Sequence, residues 1–129
     1  MNKIIFVGFS KLNDNLYDAL CIQYFIDCGL EVDYLDVTSL LFNGKKIQQN
    51  YDFIQSISNY KELEQYLILN NSGVLYNVQI HYETRFLKLF MLFKKYNCRI
   101  STFEIGYLPN LKEDSKFLKY LKIGIIQSL

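Results

Sequence analysis

Residues 73–106, GVLYNVQIHYETRFLKLFMLFKKYNCRISTFEIG, constrain the fold most, because they read as three elements in direct succession. A short apolar run at 74–78 follows the turn signal Asn70-Asn71-Ser72-Gly73. Branched and aromatic residues bounded by such breakers predict a strand. The segment over about 83–96 contains neither Gly nor Pro, and it places Phe86, Leu89, Phe90 and Phe93 at helical spacing. Lys94 and Lys95 fall in its last turn, where cations suit the carbonyl end of a helix. A second apolar run at 98–103 ends before Gly106 and Pro109. Strand, helix and strand in this order predict a right-handed βαβ crossover with parallel strands. Leu87, Met91 and Leu92 widen the apolar stripe of the helix, leaving Arg85, Lys88, Lys94 and Lys95 for water. Such a helix is either covered on several sides within its own domain or keeps an apolar remainder that meets another domain or chain.

The same alternation runs through the rest of the chain. Residues 4–8 are nearly all apolar, the pattern of a central parallel strand buried on both faces. A helix is expected from about 16 to 28, capped by Asp14 or Asn15 and stopped at Gly29. Residues 31–36, EVDYLD, read as a second strand, 37–42 as a helical turn closed by Asn43-Gly44, 45–50 as a polar loop, and 53–57 as a short edge strand. Asn59-Tyr60-Lys61-Glu62 reads as a capping box with Asn59 as N-cap. In the helix it starts, Tyr60, Leu63, Tyr66 and Leu67 face inward, and Lys61, Glu62, Glu64 and Gln65 face water. A last helix over about 113–122 and a strand at 123–126 follow.

Strands alternating with helices predict an α/β fold with a doubly wound, mostly parallel sheet, in a three-layer Rossmann-like or flavodoxin-like arrangement. The first strand takes the middle, the second lies on one side, and the strands at 74–78 and 98–103 lie on the other. Ligands of such sheets bind beyond the carboxyl ends of the strands, where the strand order reverses. Here that mouth is lined by Gly8, Phe9, Ser10 and Lys11 and by residues 77–83.

A chain of 129 residues suits one domain, and 50% hydrophobic with 16% aromatic residues suffices for a real core. A net charge of +1 gives no nucleic-acid footprint and no acidic tail. The 3 cysteines, Cys21, Cys28 and Cys98, show no paired spacing, hence no disulfide framework and no zinc motif. Cys21 and Cys28 stand a heptad apart on one predicted helix, which makes them small buried hydrophobes and suits a reducing cytoplasm. The apolar run at 4–9 is too short for a signal-peptide core, and no stretch approaches the ~20 apolar residues of a membrane span.

The loop after the first strand carries one glycine, Gly8, where a dinucleotide fingerprint needs several, and it has no phosphate-loop lysine motif. Gly8 and Ser10 read as turn residues. Asp36 ends the second strand at the position of a ribose-binding acid, but without the glycines a helix cap or solvated acid is the simpler reading. His81, the only histidine, lies beside Glu83 and Arg85 just before a helix N-terminus. It reads either as a base oriented by Glu83, with Arg85 helping to hold an anion, or as a loop histidine beside a capping glutamate. Glu104 follows the fourth strand at the same edge and reads as a contact to a substrate hydroxyl or as an exposed loop acid. Lys112, Lys116, Lys119 and Lys122 beside Phe117, Leu118 and Leu121 read as a contact for an anionic membrane surface or as a solvated helix face.

The opening KIIFVGFSKLNDNLYDALCIQYFIDCGLEVDYLDVTSLL and the later ETRFLKLFMLFKKYNCRISTFEIGYLPN resemble bacterial capsule and surface-polysaccharide biosynthesis proteins. More broadly they resemble the N-terminal domain of two-domain glycosyltransferases of the GT-B fold. The likeness lies in the order of strand, loop, helix, the turn at Cys28-Gly29 and a strand, and in a Gly-x-x-Pro loop at Gly106 and Pro109. It implies sugar transfer from a nucleotide-sugar donor to a glycan or lipid-linked acceptor, at a metal-independent site between two domains. It implies no cofactor in this domain, which holds the acceptor, and a C-terminal donor-binding domain or partner chain to complete the enzyme. In that reading residues 9–13 and 79–83 line the acceptor side of the cleft, with Phe9, Ser10, Lys11, Gln79, Glu83, Arg85 and Glu104 contacting substrate and His81 as base. Two other readings stand beside it. One is a stand-alone flavodoxin-like interaction module that pairs through its apolar helices, as a homo-oligomer or with another chain. The other is a small-molecule enzyme with its site complete in this domain.

Overall fold

A computed structural model describes residues 2–42, 51–81 and 83–101. Among the described residues five parallel strands form one sheet: β1 (Lys3–Gly8), β2 (Glu31–Asp36), β3 (Ile54–Ser56), β4 (Val74–Val78) and β5 (Arg99–Ser101). Their order is β3-β2-β1-β4-β5, a doubly wound parallel sheet of the Rossmann-like and flavodoxin-like class. The placing of the first strand, its neighbours and the edge strand agrees with the sequence reading.

The sheet separates two apolar layers. Ile5, Val7, Leu35, Tyr76 and Val78 pack on one face against α4 (Tyr60–Leu69) and α5 (Leu87–Lys95). Ile4, Phe6, Val32, Tyr34 and Leu75 pack on the other against α1 (Asp14–Ala19) and α2 (Ile22–Asp27). The β1–β2 and β4–β5 crossovers run in opposite directions along the sheet and lie on opposite faces, as crossovers of one hand must. A one-turn helix, α3 (Thr38–Leu41), follows β2.

The helix expected over 16–28 is two helices. Cys21 takes a left-handed conformation (φ 58°) between α1 and α2. The break lets Leu20, Cys21 and Ile22 all be buried in succession, whereas a regular helix would spread three neighbours over about 200°. Cys28 is exposed, not buried, because the break rotates α2 away from the heptad relation to Cys21. The cap of α1 is Asn13, one residue earlier than expected, with its side chain accepting from the Leu16 N–H at 2.8 Å. Gly29 (φ +85°) ends α2 as read: its N–H donates to the Ile26 carbonyl and the Leu30 N–H to that of Phe25. Asn97 (φ 52°) does the same for α5, which starts after a 3-10 turn, Thr84–Phe86, in place of the first helical turn expected at 83.

The capping residue of α4 is Asn59, whose side chain accepts from the Glu62 N–H at 2.9 Å. Glu62 returns a bond to the Ser58 N–H rather than to Asn59 itself. Asn59→Ala is expected to lower stability by about 1 kcal/mol, read as a shift of the urea midpoint at unchanged slope.

A polar clasp closes the amino edge. Lys3 Nζ lies 2.9 Å from Asp33 Oδ2 and donates to Asn70 Oδ1 at 3.0 Å. The Tyr66 hydroxyl donates to the same Asp33 oxygen at 2.9 Å, and that of Tyr76 to the Asn70 carbonyl at 2.5 Å. β1, β2, α4 and the turn before β4 are thereby joined through groups largely withdrawn from water.

Candidate functional site

At the opposite edge the chain leaves β1 and β4 side by side. Val7 and Val78 are in register, and the Gln79 N–H donates to the Val7 carbonyl at 2.8 Å. β2 and β3 lie on one side of this pair of strands and β5 on the other, so the loops after β1 and β4 bound the expected mouth.

The β1 loop is held from beneath. The Tyr34 hydroxyl donates to the Ser10 carbonyl at 2.8 Å, passing the place where a Cβ on Gly8 would stand. Gly8 is thus required by close approach, a reason that turn formation alone did not supply. Burial, followed by the Asp36 charge, pushes the Tyr34 hydroxyl above its ordinary range. Asp36 is buried and fastens the β2 loop: its carboxylate accepts from the Thr38 N–H at 2.9 Å and from the Thr38 hydroxyl at 2.6 Å. Asp36 precedes the Val37 N-cap of α3 and binds the first helical residue, so it is neither the cap itself nor a solvated acid.

Phe9 is half-buried, its ring 5.3 Å from Phe42 and 6.0 Å from Phe86 between centroids. It joins the β1 loop to the 3-10 turn before α5. Ser10 and Lys11 beyond it are exposed. On the other side of the mouth Gln79 is half-buried and donates through Nε2 to Asn77 Oδ1. His81, Glu83 and Arg85 are exposed. Glu83 occupies the N-cap position of the 3-10 turn, but its side chain caps nothing; Oε2 accepts from Arg85 Nε at 2.7 Å. The Arg85 guanidinium also lies 4.6 Å from the centre of the Phe86 ring. The structure therefore brings Phe9, Ser10, Lys11, Gln79, His81, Glu83 and Arg85 to one edge of the sheet. Glu104 and the lysine-bearing helix at 113–122 lie outside the described residues.

Asn77, the first of the residues expected to line the mouth, has a neighbour that the sequence does not mark, Ser101. Asn77 and Ser101 are in register on β4 and β5, 0% and 1% exposed. The signal was available in VLYNV, where Asn77 is the one polar residue of a strand otherwise fit for burial.

Among the described residues no three His, Cys, Asp or Glu side chains come together as a metal site, and no helix is long and apolar enough to cross a membrane. Comparison with protein-family models, curated proteins and solved structures finds no significant match to this chain.

Proposed function

We propose that this chain is the acceptor-side domain of a glycosyltransferase-like protein of surface-polysaccharide synthesis. It holds a glycan or lipid-linked sugar at the mouth between the β1 and β4 loops. The complete enzyme adds a donor domain or a partner chain that carries the nucleotide sugar. One observation supports this most: the Rossmann strand order sets two loops side by side at the point where the order reverses, and those loops expose Ser10, Lys11, His81, Glu83 and Arg85. Hydroxyl, ammonium, imidazole, carboxylate and guanidinium groups clustered at an edge suit a ligand rich in hydroxyls.

Calorimetric titration with oligosaccharide acceptors tests it. Lys11→Ala is expected to weaken binding about three- to tenfold, the loss of one hydrogen bond to a ligand. In the assembled enzyme His81→Ala is expected to lower turnover about a hundredfold or more at little change in acceptor affinity, as removal of a general base does. Unchanged turnover takes the base role from His81, and absence of saccharide binding by the unaltered chain sinks the reading.

A second reading, an interaction module, is favoured by the outward residues of α4 and α5. Ile68 is 59%, Leu69 81%, Leu87 40% and Met91 59% exposed. Sedimentation of the chain alone discriminates: a tight oligomer without glycan affinity supports the module.

A further inference from the structure

Behind the loops that follow β1 and β4, one pair of buried side chains has incomplete hydrogen bonding. Neighbouring strands run ~4.8 Å apart, so Asn77 and Ser101, in register, are within reach of one shared partner. Asn77 Nδ2 and Ser101 Oγ are buried and have no hydrogen-bond partner. Groups of this kind are rare in folded proteins and call for a specific reason. Asn77 Oδ1 accepts from Gln79 Nε2, which sets the amide so that Nδ2 is the atom left over. The pair shares a row with Tyr34 and Phe6 on the face covered by α1 and α2. The apolar cluster beneath those helices reaches Leu75 of β4 and includes no residue of β5. Asn77 is the last residue but one of β4 and Ser101 the last of β5, so the pair lies near the carboxyl edge of the sheet, the edge that carries the mouth.

We infer that Asn77 and Ser101 form the deepest hydrogen-bonding subsite of the mouth and hold one hydroxyl oxygen of a neutral, polyhydroxylated ligand. The amide Nδ2 only donates, and a serine hydroxyl donates or accepts. An alcohol oxygen accepts from Nδ2 and closes the second bond to Oγ in either direction. Phe6, Leu75 and Gln79, neighbours of Asn77 on this face, carry no charge, and Arg99, which shares the face two residues before Ser101, is exposed to water. A cation there would be repelled by Arg99, and an anion would lose its hydration against a guanidinium that stays solvated, so a neutral group is preferred. Gln79, next outward and bonded to Asn77, covers the subsite and is displaced when the ligand enters. The inference rests on the reading of the mouth as a saccharide site and adds which group of the sugar reaches Asn77 and Ser101. A trapped water offers the same oxygen chemistry, and the test separates the two.

The full chain, labelled for NMR, is titrated with methyl glucoside, methyl galactoside and N-acetylglucosamine. The expected result is a saturable shift of the Asn77 side-chain amide pair with at least one of them. Ser101→Ala should then bind that sugar about three- to tenfold more weakly, while the Lys11 and His81 signals still respond. Shifts at Lys11 and His81 with Asn77 silent overturn the inference and leave the mouth reading standing. A magnetisation-exchange signal between the Asn77 amide and a long-lived water that persists at sugar saturation also overturns it, because the pair then holds water alone. If no signal moves with any sugar, both readings fall. The unaltered chain decides by itself, so a folding defect in Ser101→Ala leaves the outcome clear.

Discussion

Gly8→Ala is expected to destabilise the protein by about 3 kcal/mol, and Tyr34→Phe in the same chain is expected to restore most of that loss. A Cβ at position 8 would stand 2.7 Å from the Tyr34 hydroxyl oxygen and 3.5 Å from the ring carbon that bears it. The ring cannot swing aside, because Tyr34 is 2% exposed and its hydroxyl is bonded to the Ser10 carbonyl. Overpacking at such a site costs about 1–3 kcal/mol, and the displaced hydrogen bond adds about 1. Tyr34→Phe alone forfeits that bond and should cost about 1 kcal/mol. With the hydroxyl gone, the alanine methyl meets only ordinary contacts, so the double variant should sit near the single Tyr34→Phe value. Urea unfolding of the four proteins measures the coupling, expected at about 3 kcal/mol. Additive losses would show that Gly8 is not there to make room for Tyr34.

Stability is expected to collapse in alkali, more steeply than a single titrating group allows. Burial is the largest influence on the hydroxyls of Tyr34, Tyr66 and Tyr76, and it pushes all three above the ordinary tyrosine range. The Asp33 carboxylate adds to the effect on Tyr66 by charge and by accepting its hydrogen bond. Burial also pushes the Cys98 thiol up, from 9.0 to about 11. Below their unfolded values these groups are protonated in both states and stability does not depend on them. Above those values the unfolded chain releases protons that the folded chain retains, so unfolding gains. The loss therefore begins near pH 9 with Cys98 and steepens above about pH 10 with the tyrosines. Each retained proton contributes a slope of about 1.4 kcal/mol per pH unit, so three tyrosines together give about 4. Urea midpoints at stepped pH check the slope. Tyrosinate absorbance from the buried rings should rise with unfolding and not before it. Tyr66→Phe should flatten the slope by about a third; an unchanged slope would mean that Tyr66 ionises freely in the folded chain.

Most of the sheet was legible because its signals are local. Apolar runs bounded by Asn-Asn-Ser-Gly or by Gly29 mark strand starts, and Asn59 with Glu62 marks a helix start, each through bonds made within a few residues. The break at Cys21 was not legible, because nothing in DALCIQ disfavours a helix. The break exists so that three consecutive side chains meet a sheet whose other residues are far away in sequence. The same holds for Gly8, whose reason is a hydroxyl 26 residues on. At the mouth, the residue types were legible, and Glu83 and Arg85, read as neighbours, are joined through the Glu83 carboxylate and Arg85 Nε. Asn77 was legible as the start of the mouth lining, but its pairing was not, because its lateral neighbour Ser101 lies on another strand 24 residues on.

The clasp at the amino edge has a consequence for how the strands find their alignment. Ile4, Ile5, Phe6 and Val7 of β1 are all 0% exposed, so both faces of the central strand are equally dry. In a one-sided sheet a slip by one residue turns apolar side chains toward water and is rejected on that account. Here the same slip would exchange one apolar contact for another without exposing either to water. It would, however, carry Lys3 to the face opposite Asp33 and leave that carboxylate without its cation. At the other end it would draw Gly8 away from the Tyr34 hydroxyl and set a side chain in its place. Two polar positions, one at each end of β1, thus reject the shifted pairings that its four central residues would accept.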